Sequence, residues 1–306
     1  MFIAFLKQRH IKALEQGTIV GMNQHFVPTL TLNDGRELPP IGLGTYKLQG
    51  KECERLVREA IEIGYRHIDT ASMYGNEEAV GKAVNDAIAA GDVERDDIFI
   101  TTKLWNDQQG RENVGPALHD SLRKLGMDYV DMYLVHWPCP KQNLYAETFE
   151  EIARLQGMGQ IGAIGVANFY EETLRELVAK VGIAPALNQV ELHPGFTQSD
   201  LRSVHNELGV VTEAWAPLSR GIVLGNPTME RIAEEVERTP AQVALRFLAQ
   251  LGVSVVPKSA RVERLRENFG IFDFSLTQEQ MDAIEELDTQ KGFGRIFNDP
   301  RDFPES

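Results

Sequence analysis

The sequence has no apolar run near the roughly 18 residues that a membrane-spanning helix needs. Cysteine is scarce, with Cys53 and Cys139 alone, and neither sits in a CxxC or other metal-ligand spacing. Two thiols are too few for a disulfide scaffold, and they fit a reducing, cytoplasmic setting. Positive charge is in deficit: 31 Lys and Arg stand against 45 Asp and Glu, a net −14. That balance argues against nucleic acid or an anionic membrane as a partner. It leaves room for a local basic pocket around a phosphorylated ligand.

What remains is the composition of a globular enzyme, 42% hydrophobic and 25% charged over 306 residues. A single α/β barrel reaches this length, and no composition shift or linker cuts the chain. At the N-terminus, Phe2–Leu6 is followed by Lys7, Arg9, His10 and Lys12. A secretory signal has the opposite order, basic then apolar. Residues 1–21 therefore read as an extension outside the fold, with Met22 a plausible start and 22–306 one barrel domain.

Phe26–Leu32 and the Asn33-Asp34-Gly35 turn predict a hairpin, because Asn, Asp and Gly tolerate positive φ. Eight short apolar runs then alternate with amphipathic stretches. The runs are Ile41–Tyr46, His67–Ala71, Ile98–Lys103, Tyr129–Trp137, Ile161–Asn168, Ala186–His193, Val210–Pro217 and Val253–Ser259. Helices are expected near 51–63, 76–90, 111–125, 145–158, 170–180, 198–208, 240–251 and 278–288. Their starts are marked by Asn76 before Glu77 and Glu78, by Thr239-Pro240, and by Thr277 three before Gln280. Eight strand–helix units predict an α/β fold, the (β/α)8 TIM barrel. A doubly wound sheet fits less well, since no strand is followed by GxGxxG.

A TIM barrel works at the C-terminal ends of its strands. Those ends here carry Asp69 with Tyr74 beyond it, Lys103 and Trp105, His136-Trp137, Asn168, then Asn188, Gln189 and His193, Glu213 and Trp215, and Lys258-Ser259. Apolar strands have little reason to end so regularly in polar groups unless the groups meet. A tyrosine becomes a general acid if a cation brings its pKa down from about 10. Lys103 is the expected cation, Asp69 its anchor, and His136 a donor to a carbonyl oxygen. Side chains do not supply hydride, so a reduction there needs a cofactor.

Several motifs in this order resemble the aldo-keto reductase family: Gly64-Tyr-Arg-His-Ile-Asp69-Thr-Ala-Ser-Met-Tyr74-Gly-Asn-Glu, Thr102-Lys103-Leu-Trp105, Leu134-Val-His136-Trp137-Pro, Gly165-Val-Ala-Asn168-Phe and Val256-Pro-Lys258-Ser259. The match runs over about residues 26 to 306. Trp137 and Trp215 point to the branch of the bacterial 2,5-diketo-D-gluconate reductases and prostaglandin F synthase-like proteins. The resemblance implies a monomer that reduces small aldehydes and ketones with NADPH. It implies a tetrad of Tyr74 as acid, Lys103 and Asp69 as its tuners, and His136 as orienting donor. It places Asn168 and Gln189 at the nicotinamide carboxamide and Trp215 on the nicotinamide ring. Pro217, Leu218 and Ser219 would follow the pyrophosphate. Lys258, Ser259 and Arg264, with Arg261 beside them, would take the 2′-phosphate, and Glu267 and Asn268 the adenine. Tyr46, Trp105, His136 and Trp137 would face the substrate. The family has Ser where this chain has Ala167, which implies one carboxamide hydrogen bond fewer, about 1 kcal/mol.

Each residue also has a plainer reading. Tyr46, Trp105 and Trp137 would serve as core aromatics, and Lys258, Arg261 and Arg264 as a solvated helix start. Asp128 and Asp131 read as surface or turn charges, and Glu234–Glu237 as a solvated helix face. Cys139 lies near His136 without a cationic neighbour in sequence. Two other functions stay open: an NADPH-binding barrel without catalysis, and a barrel that grips a sugar phosphate. The substrate itself, whether 2,5-diketo-D-gluconate, a small dicarbonyl or an aromatic aldehyde, would be set by loops and by the tail with Phe293, Phe297 and Phe303.

Overall fold

The computed structural model describes residues 28–303. Residues 1–21 and Met22 lie outside them. A two-stranded antiparallel hairpin comes first, β1 (Leu30–Thr31) and β2 (Glu37–Leu38), with Leu30 opposite Leu38. An eight-stranded parallel sheet follows, each strand beside the next in sequence. Its members are β3 (Leu43–Gly44), β4 (His67–Asp69), β5 (Phe99–Leu104), β6 (Val130–Val135), β7 (Ile161–Ala167), β8 (Leu187–Glu191), β9 (Val211–Trp215) and β10 (Ser254–Val255). A parallel bridge between Ile41 and Val255 joins the last strand to the first. Gly42 N donates to Val255 O at 2.8 Å and Gly44 N to Pro257 O at 3.2 Å. The sheet is thus closed into the (β/α)8 barrel. Closure needs a bare backbone at Gly44, where a Cβ would stand 2.6 Å from Val256 O.

Between the strands lie α1 (Gly50–Ile63), α2 (Glu77–Ala90), α3 (Arg111–Leu125), α4 (Tyr145–Gln156), α5 (Glu171–Val181) and α6 (Ser199–Leu208). After β9 come α7 (Pro227–Glu235) and α8 (Pro240–Gln250), and after β10 come α9 (Val262–Phe269) and α10 (Gln278–Glu285). All eight expected helices are present, and α7 and α9 are additions. The expected capping box forms at α10, Thr277 with Gln280, and Thr239 makes another with Gln242 at α8. Asn76 behaves differently from the expected cap. Its side chain makes no capping bond and instead donates to Thr45 O and Leu48 O, both at 2.9 Å, tying the loop after β3 to the loop after β4. No helix among the described residues is long and apolar enough to cross a membrane.

Period-two alternation sorts each strand into two faces. On β5, Ile100 and Leu104 join the outer layer with the helices, as do Tyr133, Val135 and Val166 on their strands. Phe99, Met132, Leu134, Ala163 and Leu187 form an inner cluster with Leu32 and Leu38. The hairpin therefore closes the barrel at the strands' starts, and the polar inward residues collect toward their ends. Asp131 is no free surface charge: its carboxylate accepts from Arg95 at 2.8 Å and from Ile100 N at 2.9 Å.

The outer layer is tight where α2 meets the end of α3. A Cβ on Gly81 would stand 2.1 Å from Leu125 O. Alanine would gain up to about 1 kcal/mol of helix propensity, but backbone cannot yield as a side chain does. Gly81→Ala should lower the unfolding free energy by about 1–3 kcal/mol in urea denaturation. A variant as stable as the native chain would show that the two helices can separate freely.

Candidate active site

Inward-facing residues near the ends of β4 and β5 meet first. Asp69, the last residue of β4, and Lys103 on β5 are both buried. Lys103 Nζ donates to both carboxylate oxygens of Asp69, at 2.8 and 2.7 Å, and to Thr70 O at 3.0 Å. Its remaining reach is toward Tyr74 Oη, 3.4 Å away. Burial alone would lower the Lys103 pKa; the grip of Asp69 outweighs it and holds the pKa above the ordinary lysine value.

Tyr74 departs from the expectation in one respect. Burial raises its pKa, and the ammonium of Lys103, though it pulls downward, does not win. The phenol is therefore kept protonated rather than poised near neutral pH. Its ring stands 5.8 Å from that of His136. Burial and the charge of Lys103 push His136 well below the ordinary histidine range, so its imidazole is neutral. His136 Nδ1 is buried without a hydrogen-bond partner.

These groups border a cavity of about 510 Å³. Tyr46, Trp105 and Trp137 line it beside Asp69, Tyr74 and His136, so all three aromatics face the opening rather than the core. The other part is lined by Asn168, Gln189, Trp215, Pro217, Leu218 and Lys258. Asn168 links two strand ends: Nδ2 donates to His136 O at 3.0 Å, and Oδ1 accepts from Trp215 Nε1 at 2.8 Å. Ala167, just before it, is buried.

Other predicted residues stand back from the cavity. The Ser219 hydroxyl accepts from Val223 N at 3.1 Å. Ser259 Oγ accepts from Arg261 N at 3.0 Å, and Arg261 leads into α9. Arg261 and Arg264 are exposed at the start of that helix. Glu267 accepts from Thr239 Oγ1 at 2.5 Å, and Asn268 is buried.

Sequence reasoning missed the cavity residue Arg220; Lys47, at the start of a loop expected to set specificity, also lines the cavity. The Arg220 guanidinium lies 3.8 Å from the centre of the Phe297 ring. The tail is fixed by a buried carboxylate that was also missed: Glu191, ending β8, accepts from Ile296 N at 2.6 Å and Phe297 N at 3.2 Å. Phe297 then packs on Trp215 at 4.6 Å, and Phe303 on Trp137 at 4.4 Å. Phe293 presses on Gly195, away from the cavity.

The model of the aldo/keto reductase family matches residues 40–289. The chain belongs to this family. Its members are NADP-dependent oxidoreductases. An aldo-keto reductase of Mycolicibacterium smegmatis is 46% identical over 276 residues, 90% of this chain and 98% of the relative. A methylglyoxal reductase of Yersinia pestis is 45% identical over 269 residues, 87% and 95% of the two chains. A solved variant of the protein Gox0644, in complex with NADPH, is 40% identical with a TM-score of 0.85, covering 90% of this chain and 98% of that one.

The floor holding Asn168 contains a titratable strut. Asn188 Nδ2 donates to Phe169 O at 2.8 Å and approaches His205 Nε2 at 2.8 Å, while His205 Nδ1 meets Thr212 Oγ1 at 2.8 Å. A neutral imidazole satisfies both, accepting at Nε2 and donating at Nδ1. Burial lowers the His205 pKa to about 4. From pH 6.5 down to about 4, the unfolded histidine binds a proton that the folded one refuses, so stability falls with pH. Relative to a His205→Gln variant, the native chain should lose about 3 kcal/mol across that window in urea denaturation. A difference independent of pH would remove the strut from this account.

Proposed function

We propose that this chain reduces a small aldehyde or ketone to an alcohol, with Tyr74 as the general acid. The reading rests above all on one observation: Lys103 Nζ lies between the Asp69 carboxylate and Tyr74 Oη at the edge of an aromatic cavity. NADPH, when bound, supplies the hydride that the carbonyl carbon receives. The residues present fit that cofactor. Cations gather locally on an acidic chain, with Lys258 and Arg220 lining the cavity and Arg261 and Arg264 beyond it. Lys258, Ser259, Arg261 and Arg264 would take the 2′-phosphate, where guanidinium forks suit its oxygens. Pro217, Leu218, Ser219 and Arg220 would follow the pyrophosphate, and Glu267 and Asn268 the adenine. Trp215 would stack on the nicotinamide, with Asn168 and Gln189 at its carboxamide.

At the other end, neutral His136 would orient the carbonyl oxygen by a hydrogen bond. Tyr74 Oη would give its proton to that oxygen. The phenolate left behind is unfavourable in a dry site, and the Lys103 ammonium offsets part of that cost. Asp69 keeps the ammonium charged and aimed. Tyr46, Trp105 and Trp137 give the substrate flat apolar walls, which suits a small dicarbonyl. The methylglyoxal reductase relative supports that class. On the same reading, residues 22–306 act as one domain, as a monomer in the cytoplasm.

Loss of NADPH absorbance with a panel of aldehydes, ketones and dicarbonyls tests the reaction. Tyr74→Phe should lower turnover by about 10²–10⁴-fold while NADPH still quenches tryptophan emission. Near-native turnover in that variant would end the acid assignment. Lys103→Met should slow the reaction and move the alkaline limb of its pH profile upward, because the tyrosine loses its cation. An unshifted limb would show that Lys103 does not tune Tyr74.

A further inference from the structure

Glu213 has no part in the reaction as drawn. It sits on β9, two residues before Trp215, and is 0% exposed inside the barrel. A buried carboxyl is costly without partners, and this one has a specific set. Oε1 accepts from Gln189 Nε2 at 2.7 Å. Oε2 accepts from Ser254 Oγ at 2.8 Å and lies 3.6 Å from His67 Nδ1. His67 is neutral, its pKa lowered by burial to about 4, and its Nε2 meets Thr101 Oγ1 at 3.0 Å. The nearby ammonium, Lys103, is bound to Asp69.

The Gln189 amide explains the arrangement. Nε2 carries two hydrogens, and the structure spends them on two carboxyls: Asp69 Oδ2 at 2.8 Å and Glu213 Oε1 at 2.7 Å. Only the carbonyl oxygen is left for a ligand, and Gln189 lines the cavity. An amide turned by 180° has nearly the same shape and the opposite polarity. Turned, the amide would lose both of these donations and set its oxygen against Asp69 Oδ2, which already accepts from Lys103.

We propose that Glu213 is a positioning residue that locks the Gln189 amide. Its carbonyl oxygen is thereby reserved for an amide N–H of the bound nicotinamide, and its nitrogen steadies Asp69 in the two-oxygen grip on Lys103. This rests on the reductase reading above. Glu213 touches neither substrate nor cofactor. Its effect passes through Gln189 on one side to the cofactor and on the other to Tyr74.

Three variants of the full chain test this. Glu213→Leu removes the acceptor. Glu213→Asp keeps a carboxyl but withdraws it by one carbon–carbon bond, and serves where the leucine variant does not fold. Glu213→Gln restores an acceptor to Gln189, with an amide nitrogen left for Ser254 Oγ and His67 Nδ1. NADPH affinity is read from quenching of tryptophan emission. Tyr74 ionisation is read without cofactor, from ultraviolet difference titration against Tyr74→Phe. The leucine or aspartate variant should bind NADPH about tenfold more weakly and shift the Tyr74 midpoint, and the glutamine variant should recover most of both. A folded leucine or aspartate variant with native affinity and an unmoved midpoint overturns the proposal. So does a glutamine variant as impaired as leucine. A native chain that bound no NADPH would instead overturn the reductase reading beneath it.

Discussion

The site depends on keeping one ammonium charged in a place without water. Lys103 is fully buried, and an unpaired cation there would give up its proton. Asp69 prevents that with both oxygens, and Thr70 O accepts from the same ammonium. The three N–H groups are shared with Tyr74 Oη, which stands 3.4 Å from Nζ. Two opposed effects act on the phenol: burial holds its proton on, and the ammonium makes the phenolate less costly. On the proposed reading of Tyr74 as the acid, a group that keeps its proton until a carbonyl oxygen arrives needs both.

The barrel supplies this arrangement through alternation. Phe99, Thr101 and Lys103 point inward along β5, while Ile100 and Leu104 pack outward on the helices. The inward row runs from an apolar floor under the hairpin to a charged rim. Neighbouring strands repeat the gradient. Met132 and Leu134 precede His136, and Leu187 precedes Gln189 and Glu191. The hairpin excludes water from below, so the polar layer can be dry on one side and open on the other. Asn188, His205 and Asn76 fasten the loops from behind: Asn188 and Asn76 donate to backbone, and His205 joins Asn188 to Thr212.

Much of this was legible because it is local. Strand runs, helix caps and polar strand ends each occupy a few consecutive residues; seven of the eight strands lie within the expected runs, and β5 runs one residue past its own, to Leu104. What escaped depends on distance or balance. Helices α7 and α9 are short additions to the strand–helix alternation, glimpsed only as a solvated face at Glu234–Glu237 and as the plainer reading of the cations near Arg261. Asn226-Pro227 marks the start of α7, and α9 begins among the cations read as a phosphate patch. The Asp131 carboxylate binds Arg95, 36 residues away, which no local pattern reveals. The sign of the Tyr74 shift is a contest between burial and charge, and a sequence shows the charge but not the burial. Glu191 is bound by a tail segment more than 100 residues later.

That tail contact sets the character of the cavity. A carboxylate inside the rim holds two successive backbone N–H groups at Ile296 and Phe297. Arg295 adds its guanidinium to the same carboxylate at 3.3 Å and also bonds Tyr170. With the chain fixed at that point, Phe297 lies across Trp215 under the Arg220 guanidinium, while Phe303 reaches Trp137. The tail thereby bridges the two halves of the opening. One side, with Arg220 and Lys258, offers cations that suit phosphate. The other, with Tyr46, Trp105 and Trp137, offers apolar faces that do not. A long anionic cofactor and a small carbonyl would sort themselves by that contrast, and they would meet where Tyr74 and His136 stand.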